Sequence, residues 1–151
     1  MTAAKLHAAF LKHGKTLALA ESCTGGAIAA KLVAIPGASN FFLGSVVAYS
    51  NAWKETFLGV SSQTLKTKGA VSVEAVKEMV QGLFAKTKCD YAAAVSGIAG
   101  PENGVLCIAV GKRGMQIESK IMRAPEGRAE AIAFATEAAL TALLQCLEGN
   151  P

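Results

Sequence analysis

Ser22, Tyr49 and Lys54 are side chains whose types could together open an acyl bond. Ser22 follows a short apolar run and precedes Thr24, Gly25 and Gly26. Glycines at the mouth of a helix remove side-chain obstruction, so that backbone N–H groups can approach an anion or a developing oxyanion. A strand-to-helix turn that exposes a nucleophile uses the same physics as the nucleophile elbow, although G-x-S-x-G is absent. Cys23 competes as nucleophile, but adjacent residues on such a turn point in different directions and no histidine is placed to pair with it; a buried structural thiol is expected. A serine needs a base. Both histidines, His7 and His13, fall in the first predicted helix and are read as solvated, which disfavours Ser-His-Asp and leaves a Ser–Lys arrangement with Lys54. Such a lysine must be neutral, which burial or a nearby cation enforces. Tyr49 could relay a proton or orient the pair. Each residue also has a plainer reading: Ser22 or Thr24 as an N-cap, Lys54 as a helix-surface lysine, Tyr49 as half-buried packing.

These residues need elements to hold them. The first dozen residues read as a helix stopped by Gly14, and Thr16 to Ala20 as a buried strand. Ala27 to Ile35 reads as a helix ended by Pro36-Gly37, Val46 to Tyr49 as a strand, and Asn51 to about Gly59 as a short helix. Ser72 is the expected N-cap of a helix whose core face is Val76, Val80, Leu83 and Phe84. Tyr91 to Val95 is a third strand, running into a loop from Ser96 through Gly97 to Gly100 and Pro101. Val105–Val110 and Met115–Met122 flank Gly111-Lys112-Arg113-Gly114 and predict a hairpin. Leu140, Leu143, Leu144 and Leu147 mark the buried stripe of the last helix. Alternating strands and helices with one hairpin predict a three-layer α/β/α fold with a mixed sheet, in one domain over residues 1–151.

Three polar or glycine-rich segments, Glu21–Gly26, Tyr49–Lys54 and Ser96–Pro101, follow predicted strands. The crevice beyond strand ends is the usual ligand site of open α/β sheets, although any one segment alone reads as a tight turn. The apolar group Ile35, Phe41, Phe42 and Leu43 reads as core or as a homodimer face.

Composition narrows the class. The chain has 151 residues, 52% hydrophobic and 17% charged, which excludes wholesale disorder and suffices for a core without staples. Mean hydropathy is +0.36, but Lys31, Asn51, Lys54, Glu74 and Lys77 break the apolar segments, so no membrane span is expected. The net charge of +4 is scattered as isolated basic pairs without interleaved aromatics, arguing against nucleic acid. Four widely spaced cysteines, with no metal-ligand spacing, support neither a disulfide framework nor a metal site. A cytoplasmic protein without a signal peptide is expected.

Four segments carry a resemblance. Ala20-Glu21-Ser22-Cys23-Thr24-Gly25-Gly26, Ala48-Tyr49-Ser50-Asn51 with Lys54, Gly69-Ala70-Val71-Ser72, and Ser96-Gly97-Ile98-Ala99-Gly100-Pro101 resemble the CinA C-terminal domain family, in order and over nearly the whole chain. That family includes stand-alone nicotinamide mononucleotide deamidases. The resemblance implies hydrolysis of the carboxamide of nicotinamide mononucleotide to nicotinate mononucleotide and ammonia. It implies a serine amidase with Ser22 as nucleophile, Lys54 as base and Tyr49 assisting, and neither metal nor organic cofactor. Thr24, Gly25, Gly26, Asn51, Ser96, Gly97, Gly100 and Arg128 are the expected contacts to this small-molecule nucleotide, and a homo-oligomer, a dimer first, is the expected assembly. The chain departs from the family pattern twice: only Glu102-Asn103-Gly104 separate Pro101 from Val105, and Ile132 stands where a second arginine commonly follows Arg128. These departures leave open a silent, ligand-binding or regulatory paralogue, or an amidase for another carboxamide.

Overall fold

Small and large residues alternate along β1 (Leu17–Glu21), and the two faces of the sheet follow from that alternation. Leu17 and Leu19 join one core, and Ala18 and Ala20 the other. The structure, a computed structural model, describes residues 1–99 and 104–149. β1 lies between β2 (Phe42–Val47) and β3 (Tyr91–Ile98), parallel to both. β3 pairs antiparallel with β4 (Val105–Lys112), and β4 antiparallel with β5 (Glu118–Arg123). The sheet is therefore mixed, in the order β2-β1-β3-β4-β5.

One face is covered by α1 (Thr2–His13), α2 (Ala27–Val33) and α6 (Arg128–Leu147), burying Leu6, Phe10, Ile28, Leu140 and Leu143. The other carries α3 (Asn51–Leu58), α4 (Ser62–Thr67) and α5 (Val73–Lys86) over Ala18, Ala20, Ala92, Ala94 and Ala109. These alanines let α5 sit close to the strands. Gly82 of α5 then lets α3 sit close to α5: a Cβ there would lie 1.8 Å from the Leu58 carbonyl oxygen. The depth at which α3 rests fixes Lys54, four residues before Leu58. Ser72 caps α5 by accepting from the Ala75 N–H, an interaction worth about 1 kcal/mol. At the far end Arg113 donates to the carbonyls of Phe84, Thr87 and Cys89, tying the end of α5 to the start of β3.

Several expectations are corrected. β2 begins at Phe42 rather than Val46 and ends at Val47, short of Tyr49. β3 runs on to Ile98, because β4 pairs with it as far as Ile98↔Val105, so Ser96 and Gly97 are strand residues. Gly100 and Pro101, with Glu102 and Asn103, lie outside the described residues. The β4–β5 hairpin is present, but its strands extend to Lys112 and resume at Glu118, beyond the predicted Gly111–Gly114 turn. His7 is buried rather than solvated: its ring meets Phe41 edge-on at 5.2 Å, and its Nε2 has no partner among the described residues. Phe41 is core, Ile35 and Phe42 pack against it half-buried, and of that group Leu43 is exposed. Of the four residues read as core or as a homodimer face, three thus take the core reading. α6 is long and apolar enough to cross a membrane by length and composition, contrary to expectation; here it packs on α1, α2 and β4.

Candidate active site

The alternation of β1 continues one residue past its end, sending Glu21 to the α2 side and Ser22 to the α3 side. The Ser22 N–H still donates to the Val95 carbonyl at 3.1 Å, so the serine stands on the ladder. Across from it, Ser50 caps α3 by accepting from the Trp53 N–H, and the first turn of that helix carries Lys54 inward. Lys54 Nζ lies 3.0 Å from Ser22 Oγ and 3.1 Å from the Tyr49 carbonyl oxygen. Lys54 is 2% exposed and Ser22 6%. Both acceptors are neutral, and the one ion pair among the described residues, Lys31–Glu137, lies elsewhere. Burial disfavours the charged amine and holds the Lys54 pKa below its ordinary value of 10.5, with Cys23 opposing.

Ser22 and Lys54 line a cavity of about 160 Å³, together with Cys23, Ala70, Val71, Ser96 and Gly97; Tyr49, Asn51, Ala99 and Arg128 complete the lining. Ser96 is nearly inaccessible, and its hydroxyl donates to the Ala70 carbonyl at 2.8 Å, fixing the Gly69–Ser72 turn against β3. A Cβ on Gly97 would stand 2.8 Å from the Val105 carbonyl oxygen and 3.1 Å from Cys23 Sγ, so glycine is required by packing as well as by the cavity. Burial pushes the Cys23 thiol up to about 11, which keeps it protonated. The Tyr49 phenol turns outward: it accepts from Arg128 Nη2 at 2.8 Å, while Arg128 Nη1 donates to the Ala99 carbonyl at 2.9 Å. Tyr49 therefore touches Lys54 through its main chain and Arg128 through its side chain.

Of the expected residues, the cavity gathers Ser22, Tyr49, Lys54, Asn51, Ser96, Gly97 and Arg128. Thr24, Gly25 and Gly26 do not line it. The Thr24 hydroxyl donates to Glu21 at 2.7 Å, and the α2 amides of Ile28 and Ala29 donate to the same carboxylate. The helix mouth expected to receive an anion is occupied by the chain's own. Gly25 and Gly26, at φ +59° and +104°, make the turn instead. Gly100 falls outside the described residues. Glu21, Ala70 and Val71 stand in the resembling segments but received no role from sequence: the signal of Glu21 is a charge closing an otherwise apolar strand, and Ala70 and Val71 carry no chemical signal. No cluster of three metal-ligating side chains occurs among the described residues. A larger cavity of about 690 Å³, between the β4–β5 face and the end of α6, contains none of the expected site residues.

The sequence profile of the CinA C-terminal domain matches residues 1–147. The chain belongs to this family. Among CinA-like proteins, one from Synechococcus sp. (strain CC9902) is 46% identical over 123 residues, covering 76% of this chain and 29% of the relative. One from Thermotoga maritima is 56% identical over 90 residues, covering 60% of this chain and 22% of the relative. The chain thus spans about a quarter of the length of these relatives. Solved CinA-superfamily structures agree throughout. The competence damage-inducible protein A of Klebsiella pneumoniae superposes with a TM-score of 0.93 at 37% identity, covering 97% of this chain and 95% of that one. The competence/damage-inducible protein of Agrobacterium tumefaciens gives 0.92 at 34%, covering 97% and 93%. In this CinA domain each of the four resembling segments contributes to the one cavity, through Ser22 and Cys23, Tyr49 and Asn51, Ala70 and Val71, and Ser96, Gly97 and Ala99.

Proposed function

We propose that this CinA domain is a serine amidase that hydrolyses the carboxamide of nicotinamide mononucleotide, giving nicotinate mononucleotide and ammonia. The observation that carries the reading is the 3.0 Å contact between Ser22 Oγ and a buried lysine that has no carboxylate partner among the described residues. Deprotonated Lys54 takes the Ser22 proton as Oγ attacks the carboxamide carbon. The backbone N–H of Cys23, next after the nucleophile, donates to the tetrahedral oxyanion. Lys54 returns the proton to the departing nitrogen, ammonia leaves, and an ester on Ser22 remains. Water, deprotonated by Lys54, opens that ester; the acid leaves and Lys54 returns the proton to Ser22 Oγ.

A cavity of about 160 Å³ suits the carboxamide end of the substrate and leaves the ribose phosphate at the mouth. Arg128 supports this placement: the acceptors it holds among the described residues are both neutral, so its charge suits a phosphate. Ammonia release from nicotinamide mononucleotide, measured on the purified protein, tests the reading. Ser22→Ala should lower the rate by about 10³-fold or more, and unchanged turnover would remove Ser22 as nucleophile. Nicotinamide riboside and other carboxamides in the same assay identify a different substrate. A second reading, binding without turnover, is favoured by the half-buried Ile132 one turn beyond Arg128, which supplies no charge. Calorimetric binding without ammonia release would select it.

A further inference from the structure

We infer that Glu21 is the positioning residue of this site, holding the nucleophile's turn from the opposite face of the sheet; the inference rests on Ser22 as the nucleophile. Glu21 immediately precedes Ser22 and is fully buried. Four donors converge on its carboxylate. Oε1 accepts from Thr24 Oγ1 at 2.7 Å and from the Ile28 N–H at 3.0 Å; Oε2 accepts from Ser45 Oγ at 2.8 Å and from the Ala29 N–H at 3.2 Å. These donors come from the Ser22 turn, from the first turn of α2 and from β2. One side chain therefore fixes the strand before the nucleophile, the turn after it and the helix beyond.

The same saturation has an electrostatic consequence. Two helix amides and two hydroxyls stabilise the carboxylate on the α2 side, whereas Lys54 approaches Ser22 from the α3 side and bonds to neutral oxygens. Glu21 thus braces Ser22 without becoming a counter-ion of Lys54, whose Nζ keeps the Ser22 hydroxyl and the Tyr49 carbonyl as its partners.

The test reads nucleophile reactivity without depending on the identity of the substrate. Phenylmethylsulfonyl fluoride forms a bond from Ser22 Oγ to sulfur, breaks the S–F bond, releases fluoride and sends the serine proton to Lys54. Mass spectrometry follows the labelling, and its dependence on reagent concentration separates the limiting rate from reagent affinity. Glu21→Gln turns an NH₂ group toward two of the four donors. It should lower the limiting rate at least tenfold with affinity unchanged. Arg113→Ala, which loosens α5 far from the site, should label at the wild-type limiting rate despite its lower melting temperature. Should Glu21→Gln fail to fold, Thr24→Val and Ser45→Ala each remove one donor and should each slow labelling severalfold. A folded Glu21→Gln, or both milder variants, labelling at the wild-type limiting rate would overturn the positioning role and leave Ser22 standing. No labelling of Ser22 in the wild type would overturn the nucleophile reading and this inference with it.

Discussion

Lys54 and Ser22 are 32 residues apart in sequence and 3.0 Å apart in space, joined by a buried hydrogen bond that places an amine, without a counter-ion among the described residues, against a hydroxyl. Their meeting depends on the end of β1 and the first turn of α3 facing each other across the sheet edge, with α3 set at its depth by Gly82. Among the described residues a protonated Lys54 is stabilised there by a hydroxyl and a carbonyl alone, and burial lowers its pKa from the ordinary value, the direction that general-base catalysis requires.

The pH dependence follows from the sign of that shift. The Lys54 pKa lies below 10.5, and below it the amine is protonated and cannot accept from Ser22. Turnover, as kcat/KM, should rise with pH through the lowered pKa and then level. Lys54→Arg should reduce it by about 10²–10⁴-fold, because guanidinium keeps its proton. Wild-type-like turnover in Lys54→Arg, or a profile flat from pH 6 to 10, would exclude the base. Small primary amines should partly restore Lys54→Ala.

Stability should rise with pH as activity does. With a folded-state pKa below the unfolded value, the unfolded chain binds the Lys54 proton more tightly, and folding loses stability at neutral pH that returns as pH rises toward 10.5. Lys54→Met keeps the length and removes the charge. It should raise the melting temperature, by about 2–4 °C for each kcal/mol released in a domain of this size, while abolishing turnover. A lower melting temperature would show that the hydrogen bonds of Lys54 outweigh its burial.

Cys23 should be inert despite its place beside the nucleophile. A thiol titrating at about 11 is thiolate to about one part in 10³ at pH 8, so iodoacetamide should modify it far more slowly than an exposed cysteine. Cys23→Ala retains the backbone N–H and should keep turnover within about threefold. Rapid alkylation coupled to loss of activity would move the nucleophile from Ser22 to Cys23.

Arg128 should discriminate by phosphate. Arg128→Ala should raise KM for nicotinamide mononucleotide by about tenfold or more, the scale of a lost charge-assisted hydrogen bond, and leave the kinetics of nicotinamide riboside nearly unchanged. Equal losses on both substrates would instead assign Arg128 to holding Tyr49, whose phenol it contacts at 2.8 Å.

Local chemistry made much of this protein legible from its residues alone. Apolar periodicity marks α5 and α6, Ser72 announces its cap, Gly59 ends α3, and the turn around Gly114 separates β4 from β5. Ser22, Tyr49 and Lys54 stand out as candidates because a nucleophile, a phenol and an amine at the ends of buried segments are few in a chain with two histidines, though only the Tyr49 carbonyl, not its phenol, meets Lys54. Only the tertiary structure decided what each polar group faces. The glycine-rich helix mouth looked open to a ligand, yet Glu21 fills it, since a fully buried carboxylate must find donors and the nearest are the amides of α2. Ser96 looked like a loop residue, yet pairing with β4 draws it into a strand, and its hydroxyl holds Ala70. His7 looked solvated on its helix until Phe41, 34 residues away, covered it. Sequence records which residues prefer burial or a turn; the partner that satisfies a buried charge or hydroxyl comes from distant segments, and only folding brings those together.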